Sequence, residues 1–270
     1  MKRAPYVFIL ILFATAIGFP EAVFAASSED STSKGGLLLV QQDTQKKADD
    51  EDLSFLQEDL DKEVPQVVPD PLYYFNKGMY HVNDKLYFWA LKPVASVWKT
   101  IIPGFVRVSI KDFFYNLRFP IRFVNCALQG KGKKAEAELT RFLLNTTVGL
   151  AGFLNPAKKY PELNPTREDL GQTFGAWGIN NGFYIVVPLI GPTTFRDGIG
   201  LIGDIFLDPS YWIGLWVDNL WVTAGIYAGE TINNTSFRIG DYETIKEAAL
   251  DPYTAIRNGY IQNRNTLIEE

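Results

Sequence analysis

Gly171-Gln-Thr-Phe-Gly-Ala-Trp-Gly-Ile-Asn-Asn-Gly-Phe-Tyr-Ile-Val-Val-Pro-Leu-Ile-Gly-Pro-Thr-Thr-Phe195 runs for 25 positions without a charged residue. By length and lack of charge it could cross a bilayer as one helix. Its composition argues otherwise. Gly171, Gly175, Gly178, Gly182 and Gly191, with Pro188 and Pro192, would interrupt the helix and strand backbone N–H and C=O groups in hydrocarbon. Irregular backbone at that depth survives only when packed in protein or lining a wet cavity. The stretch is therefore either glycine-rich core or the wall of a passage.

On the N-terminal side, apolar residues recur at helical spacing: Phe75, Met79, Val82, Leu86, Trp89 or Ala90, Val94, Val97 and Ile101. This predicts one long amphipathic helix, bent at Pro93 and ended by Pro103-Gly104. A second helix follows through Val106, Ile110, Phe113, Phe114 and Leu117. A third has Pro120 in its first turn, runs from Ile121 to Leu128 and stops at Gly130. A fourth runs from Lys133 through Leu143 into a glycine-punctuated stretch, 145–156. Three prolines make 156–169 a surface loop. On the C-terminal side, 196–230 is very apolar and aromatic but broken by Asp197, Asp204, Asp208-Pro209 and Asp218, which fits two or three half-length helices. A last amphipathic helix is predicted from about Asp241 to Gln262. Strand-type alternation is scarce, so the fold class is all-α.

At the N-terminus, Lys2 and Arg3 precede an uncharged, mostly apolar run from Tyr6 to Phe19, then Pro20 and the small residues Ala25 and Ala26. That order is the pattern of a cleavable secretory signal over 1–25. Residues 26–69 carry eleven acidic residues and four lysines and read as an acidic, disordered arm. The expected domain spans 70–264, with a short tail over 265–270. From Asp70 onward the chain holds 20 basic and 19 acidic residues, a balance that argues against nucleic acid as a partner. The single cysteine, Cys126, cannot form an internal disulfide and reads as a small buried apolar side chain.

Motifs for chemistry are few. His81 is the only histidine and lies on the polar flank of the first helix. The chain carries no phosphate-binding glycine loop, no dinucleotide fingerprint and no Cys/His spacing for a metal. Neighbouring acids such as Glu136 and Glu138, or Glu168 and Asp169, read as solvated faces rather than a catalytic pair. No enzyme activity and no cofactor are expected. Aromatic residues make up 14% of the chain, in segments too long for a modest core and too interrupted to span. Helices of that kind suit a membrane interface, with Trp and Tyr at headgroup level.

Several motifs, taken in order, resemble those of the MlaA family, also called VacJ. They are Asp70-Pro-Leu-Tyr-Tyr-Phe-Asn76, Leu91-Lys-Pro-Val94, Asn116-Leu-Arg-Phe-Pro120, Val124-Asn125 with Leu128-Gln-Gly130, and Arg141-Phe-Leu-Leu-Asn-Thr-Thr-Val-Gly149. They continue with Glu168-Asp-Leu-Gly-Gln-Thr-Phe-Gly-Ala-Trp-Gly178, Tyr184 to Pro188, Gly191-Pro-Thr-Thr-Phe-Arg-Asp197, Asp251-Pro-Tyr253, Arg257 and Tyr260. Lys77, Lys92 and Asn155 stand where family members often carry Arg, Arg and Asp, and no cysteine stands near the end of the signal to take a lipid.

The resemblance implies a ring-like helical protein in the periplasmic leaflet of a Gram-negative outer membrane, with an amphipathic channel. It implies removal of phospholipid mislocalised in the outer leaflet, alongside a trimeric outer-membrane porin, and its transfer to a soluble periplasmic lipid carrier (MlaC-like). The alternative is that the chain is itself a soluble periplasmic carrier, with an envelope hydrolase a distant third. The motif positions implied to line the lipid route or pack around it are Phe75, Asn76, Pro93, Asn125, Asn145, Gly149, Gly152, Gln172, Gly175, Trp177, Gly178, Tyr184, Pro188, Gly191, Arg196 and Asp197. Of these, Gln172, Trp177 and Tyr184 are candidates for lipid contact. Arg196 and Asp197, with Arg141, are expected in structural ion pairs or caps. Without the lipid-bearing cysteine the mature chain would hold its place through its own apolar helices or a porin.

Overall fold

The computed structural model describes residues 68–270; the stretches expected to be a secretory signal and, nearly all of it, an acidic arm lie outside the described residues. Helix α1 (Tyr73–Leu86) passes through a π-helical turn (Tyr87–Leu91) into α2 (Lys92–Ile101). The interruption expected at Pro93 therefore starts a turn earlier. Pro93 has no N–H to give the Trp89 carbonyl, and its ring crowds that oxygen. The preceding turn widens, so that the Lys92 N–H reaches Tyr87 O, five residues back.

The apolar stripe of this rod faces outward. Phe75, Val82, Leu86, Trp89, Val94, Val97 and Ile101 are all exposed, Trp89 by 77%, whereas Asn76, Asn83, Tyr87 and Ala95 on the opposite side are buried.

Next come α3 (Gly104–Leu117), α4 (Phe119–Leu128) and α5 (Gly132–Thr147). The prolines and Gly130 act as the sequence indicated: Pro120 sits in the first turn of α4, and Gly130 takes φ +72° just beyond it. After α5 the chain turns through three successive left-handed residues, Leu150, Ala151 and Gly152. The loop beyond holds two short 3₁₀ turns, Pro156–Lys159 and Pro161–Leu163. Gly152 (φ +92°) is pressed on Asn116, whose Cβ lies 2.5 Å from where a Cβ on Gly152 would stand. Gly152→Ala is therefore expected to destabilise the domain by about 2–4 kcal/mol, read as a lower urea midpoint with unchanged m.

The decisive uncharged stretch folds as a short helix α6 (Leu170–Ala176) and an antiparallel hairpin, β1 (Tyr184–Val187) with β2 (Gly191–Thr194), Tyr184 opposite Thr194. The hairpin is a departure from the purely helical reading. Its strands are four residues long, too short for alternation to register against glycine and proline. The half-length helices that follow number three: α7 (Phe195–Ile205), α8 (Pro209–Trp216) and α9 (Leu220–Thr235).

The single last helix expected over 241–262 is instead two, α10 (Asp241–Ala248) and α11 (Pro252–Glu269). Pro252 cannot donate to the preceding turn and forces Asp251 into extended backbone (φ −126°, ψ 97°), where its carboxylate caps the Tyr253 N–H at 3.3 Å.

Packing is inverted relative to a soluble domain. Among the described residues, 16 apolar side chains are buried against 23 polar or charged ones. Five of the six tryptophans, Trp89, Trp177, Trp212, Trp216 and Trp221, are more than half exposed. Much of the buried apolar material is tyrosine: Tyr184 and Tyr253 pack edge-on with centroids 6.2 Å apart, and Tyr87 lies 4.8 Å from Tyr242. No helix of the described residues is long and apolar enough to cross a membrane. Helices α6 and α7 cross at two glycines, where a Cβ on Gly200 would meet the Gly171 Cα at 2.7 Å. That close approach brings the N-terminal turns of both helices onto one cavity.

Candidate functional site: a charged cavity in a helical shell

A cavity of about 700 Å³ lies among α3, α4, α5, α6, α7, α9 and α11. Its lining carries seven basic side chains, Lys111, Arg118, Arg122, Arg141, Arg167, Arg238 and Arg264, and seven acidic ones, Glu168, Asp169, Asp197, Asp204, Asp208, Glu230 and Glu270. Phe114, Ile121, Ile190, Leu201, Ile205 and Leu267 supply apolar surface between them.

The acids at the α6 and α7 end are held by dense pairing. Arg264, from α11, donates to both Asp169 oxygens (2.6 and 2.8 Å) and both Asp197 oxygens (3.1 Å each). Asp197 also accepts from Arg196 (2.9 Å) and the Tyr260 hydroxyl (2.7 Å). Burial pushes the Asp197 carboxyl up, but Arg264 and Arg196 outweigh it and hold it below the usual carboxylate range. Asp169 and Thr194 cap α6 and α7, accepting from the Gln172 and Asp197 N–H groups. Glu168, 2% exposed, takes Lys131 (2.8 Å) and Lys134 (3.0 Å).

Asp204 differs from these. It accepts from Asn125 Nδ2 (2.9 Å) and the Leu170 N–H (3.0 Å). Burial first, and the Asp169 charge second, push its carboxyl up to about 7. Its folded pKa stands above the unfolded value near 4, so its contribution to stability is complete below about pH 4 and is lost as pH rises through 7. Thermal melts of the domain should therefore fall between pH 5 and 8, and Asp204→Asn should flatten that slope whatever it does to the absolute midpoint.

Among the sequence-predicted positions, Gln172 and Asp197 line the cavity, and Arg196 and Asn125 stand directly behind it through Asp197 and Asp204. Asn145 accepts from the Ala157 N–H and donates to Asn155, bracing the loop after α5, where Gly149 is buried without room for a side chain. Asn76 and Tyr184 are buried at the α1–hairpin seam. Gly175 packs under Ile268 and Arg196, while Gly178 and Gly191 hold left-handed turns. Phe75, Pro93, Pro188 and Trp177 are on the outer surface, Trp177 with its indole N–H on Leu128 O (3.1 Å). Arg196 and Asp197 form the ion pair that the sequence suggested, whereas Arg141 lies on the Tyr115 ring, 4.1 Å from its centroid.

His81 is exposed on α1, away from the cavity lining, and Cys126 is fully buried in α4, its thiol pushed up to about 11 chiefly by burial. Lys92 pairs with Glu243 at 2.6 Å and Lys77 donates to the Tyr73 hydroxyl, so both keep a cation where the family often has Arg. Sequence reasoning missed the cavity's basic wall, Lys111, Arg118, Arg122, Arg167 and Arg238, and also Tyr115, Glu230 and Arg264. The signal available was arginine recurring inside otherwise apolar helices.

Comparison with known proteins gives a concordant answer. Residues 68–267 match the family described as MlaA lipoprotein. The intermembrane phospholipid transport system lipoprotein MlaA of Escherichia coli is 32% identical over 201 residues, covering 73% of this chain and 77% of that protein. The protein of the same name from Haemophilus influenzae is 31% identical over 199 residues, covering 72% and 77%. A chain solved in work on the structural basis for maintenance of bacterial outer membrane lipid asymmetry superposes with a TM-score of 0.65 at 29% identity, over 74% of this chain and 99% of its own. With the ordered motifs, the helical shell and these matches in agreement, the chain belongs to the MlaA family.

Proposed function

We propose that this chain is a phospholipid-transport component of the bacterial outer membrane. It sits as a ring of helices in the periplasmic leaflet, takes phospholipid mislocalised in the outer leaflet through its cavity, and passes it to a soluble periplasmic carrier, with a trimeric porin as its neighbour. The observation that carries this reading is the inversion of polarity: a charged cavity inside and an apolar, tryptophan-rich surface outside. A lipid headgroup is accommodated by the first, and acyl chains and the bilayer by the second. Transport of this kind makes and breaks no bond, which agrees with a site built from ion pairs instead of a nucleophile and base. The relatives' names call them lipoproteins, but the cysteine in this domain, Cys126, is sealed in α4. The exposed apolar faces of α1, α2 and α8, with Trp221 of α9, give the domain its own surface for membrane attachment.

A deletion strain should display phospholipid at the cell surface, and the wild-type gene should restore the barrier. Thr231→Trp, which fills part of the cavity from α9, should stay in the membrane fraction and fail to restore it. A soluble wild-type protein with unchanged surface lipid in the deletion strain would sink the proposal in favour of a free carrier. The attachment surface has its own test. Trp216 (96% exposed) and Trp221 (75%) flank the α8–α9 turn. Converting both to Glu is expected to weaken partition onto phospholipid vesicles by about tenfold or more, without changing the urea midpoint.

A further inference from the structure

The two walls of the cavity are not electrostatic equals. At the α6 and α7 end each acid has donors. Across the cavity, on α3, α4, α5 and the segments before α6 and after α9, the cations Lys111, Arg118, Arg122, Arg141, Arg167 and Arg238 face four carboxylates, Asp112, Glu138, Asp208 and Glu230. Those carboxylates are already engaged. Arg118 holds Asp208 (3.2 Å) and Glu230 (2.6 Å), Arg122 holds Glu138 (2.9 Å), and Asp112 accepts from Asn155 (3.3 Å). Lys158 and Asp241, one of each sign, lie next outward; Glu270, at the end of α11, is the lining acid that belongs to neither set, and this wall by itself keeps two positive charges in excess.

The geometry concentrates that excess around one ring. The guanidiniums of Arg122, Arg141 and Arg167 lie 3.7, 4.1 and 4.8 Å from the centroid of Tyr115. Arg141 is 8% exposed and donates to the Tyr115 hydroxyl at 3.1 Å, yet its Nε–H has no partner. A buried charged donor left without an acceptor is costly and calls for a ligand. Arg167 lines the same cavity and is more than a third accessible. Burial, then the Arg238 charge, lower its guanidinium to about 10, and Lys111 is lowered by the same two influences. Mutually repelling, partly desolvated cations of this kind are relieved by an entering anion.

On the transport reading above, we infer that this wall is a binding site for a phosphate monoanion, the phosphodiester of a lipid headgroup in transit, with Arg141 and Arg167 as its principal donors beside Lys111 and Arg238. The forked guanidiniums match phosphate oxygens, and the Tyr115 ring gathers them within 5 Å of its centroid. The lipid's glycerol and chains would extend toward the apolar patches of the lining, Phe114 and Ile121.

The test uses the full chain purified in maltoside detergent, with dihexanoylphosphatidylglycerol below its micelle concentration as probe. Saturable binding is expected, weakened about tenfold or more by Arg141→Gln and by Arg167→Gln and partly restored by Arg141→Lys. Inorganic phosphate should compete at higher concentration, and dihexanoylglycerol, which lacks the phosphate, should not. If Arg141→Gln fails to fold, Arg167→Gln and Lys111→Gln, at more accessible positions, carry the comparison. Undiminished binding in the folded variants, or equal binding of dihexanoylglycerol, would overturn the site. Phosphate binding without lipid binding would overturn the headgroup as its source. A wild-type protein that restores the barrier in cells while showing no phosphodiester preference removes this site alone. One that binds the probe but fails to restore the barrier removes the transport reading and leaves the site.

Discussion

Arg264→Leu is expected to destabilise the domain by about 3–5 kcal/mol at neutral pH, the range for removing one partner of a buried ionic network. Arg264 donates four hydrogen bonds to two carboxylates, Asp169 and Asp197, that approach it from the first turns of α6 and α7. Leucine leaves Asp197 with Arg196 and Tyr260, and strips Asp169, whose charge already raises Asp204, of its Arg264 cation. The pH dependence separates this mechanism from a packing defect. In the wild type, Asp197 has a depressed folded pKa. Its contribution is present above the unfolded value near 4 and lost as pH falls through the folded one. In the variant, Asp197 keeps Arg196 but loses the first of the two cations that hold it down, so burial raises its folded pKa; Asp204 rises further without Arg264, and the sign reverses. Stability should recover as pH falls from 7 to 5. Urea denaturation at both pH values checks it, and an equal loss at both would assign the effect to packing.

Much of the helical layout was legible because proline, glycine and apolar spacing act locally. Pro103-Gly104, Pro120 and Gly130 place boundaries that the backbone respects. What was not legible depends on partners distant in sequence. The hairpin at 184–194 has too few residues for a period, and its strands are fixed by α1, about a hundred positions earlier. The α10–α11 break was available in Asp251-Pro252 but was overridden by the continuing apolar stripe around it. The direction in which an amphipathic helix points is not contained in its periodicity at all. The stripe from Phe75 to Ile101 has correct spacing, and only the assembled shell shows that it faces out. The cavity wall was hidden for the complementary reason: Arg122, Arg141 and Arg264 each look like a solvated charge on a helix until the opposite element is present.

The same inversion explains why a motif asparagine can matter as much as an arginine. Asn76 and Asn83 stand two turns apart on the buried face of α1, and their amides replace a neighbouring strand for β1. Asn76 Oδ1 accepts from the Val186 N–H (2.8 Å) and its Nδ2 donates to Tyr184 O (2.9 Å) and Asp70 Oδ1 (2.7 Å). Asn83 repeats the arrangement one step along, accepting from the Leu189 N–H (2.7 Å) and donating to Val187 O (3.0 Å). A sheet edge that would otherwise be unpaired inside the protein is thereby closed. Asn76→Leu leaves two buried backbone groups without partners and is expected to cost about 3–5 kcal/mol, with Asn83→Leu at about 2–3 because its site is less enclosed. Native-state hydrogen exchange should show the change where it acts: the Val186 amide loses protection in the first variant and Leu189 in the second, while amides in α5 stay slow. Asn76→Asp supplies a stricter test. Its carboxylate can still accept from Val186 but opposes Tyr184 O and Asp70, so burial and that repulsion must raise its folded pKa. Its destabilisation should then shrink as the pH falls and the protonated acid becomes a donor again. A loss that does not change with pH, or exchange that quickens evenly across the domain, would mean that Asn76 only fills space.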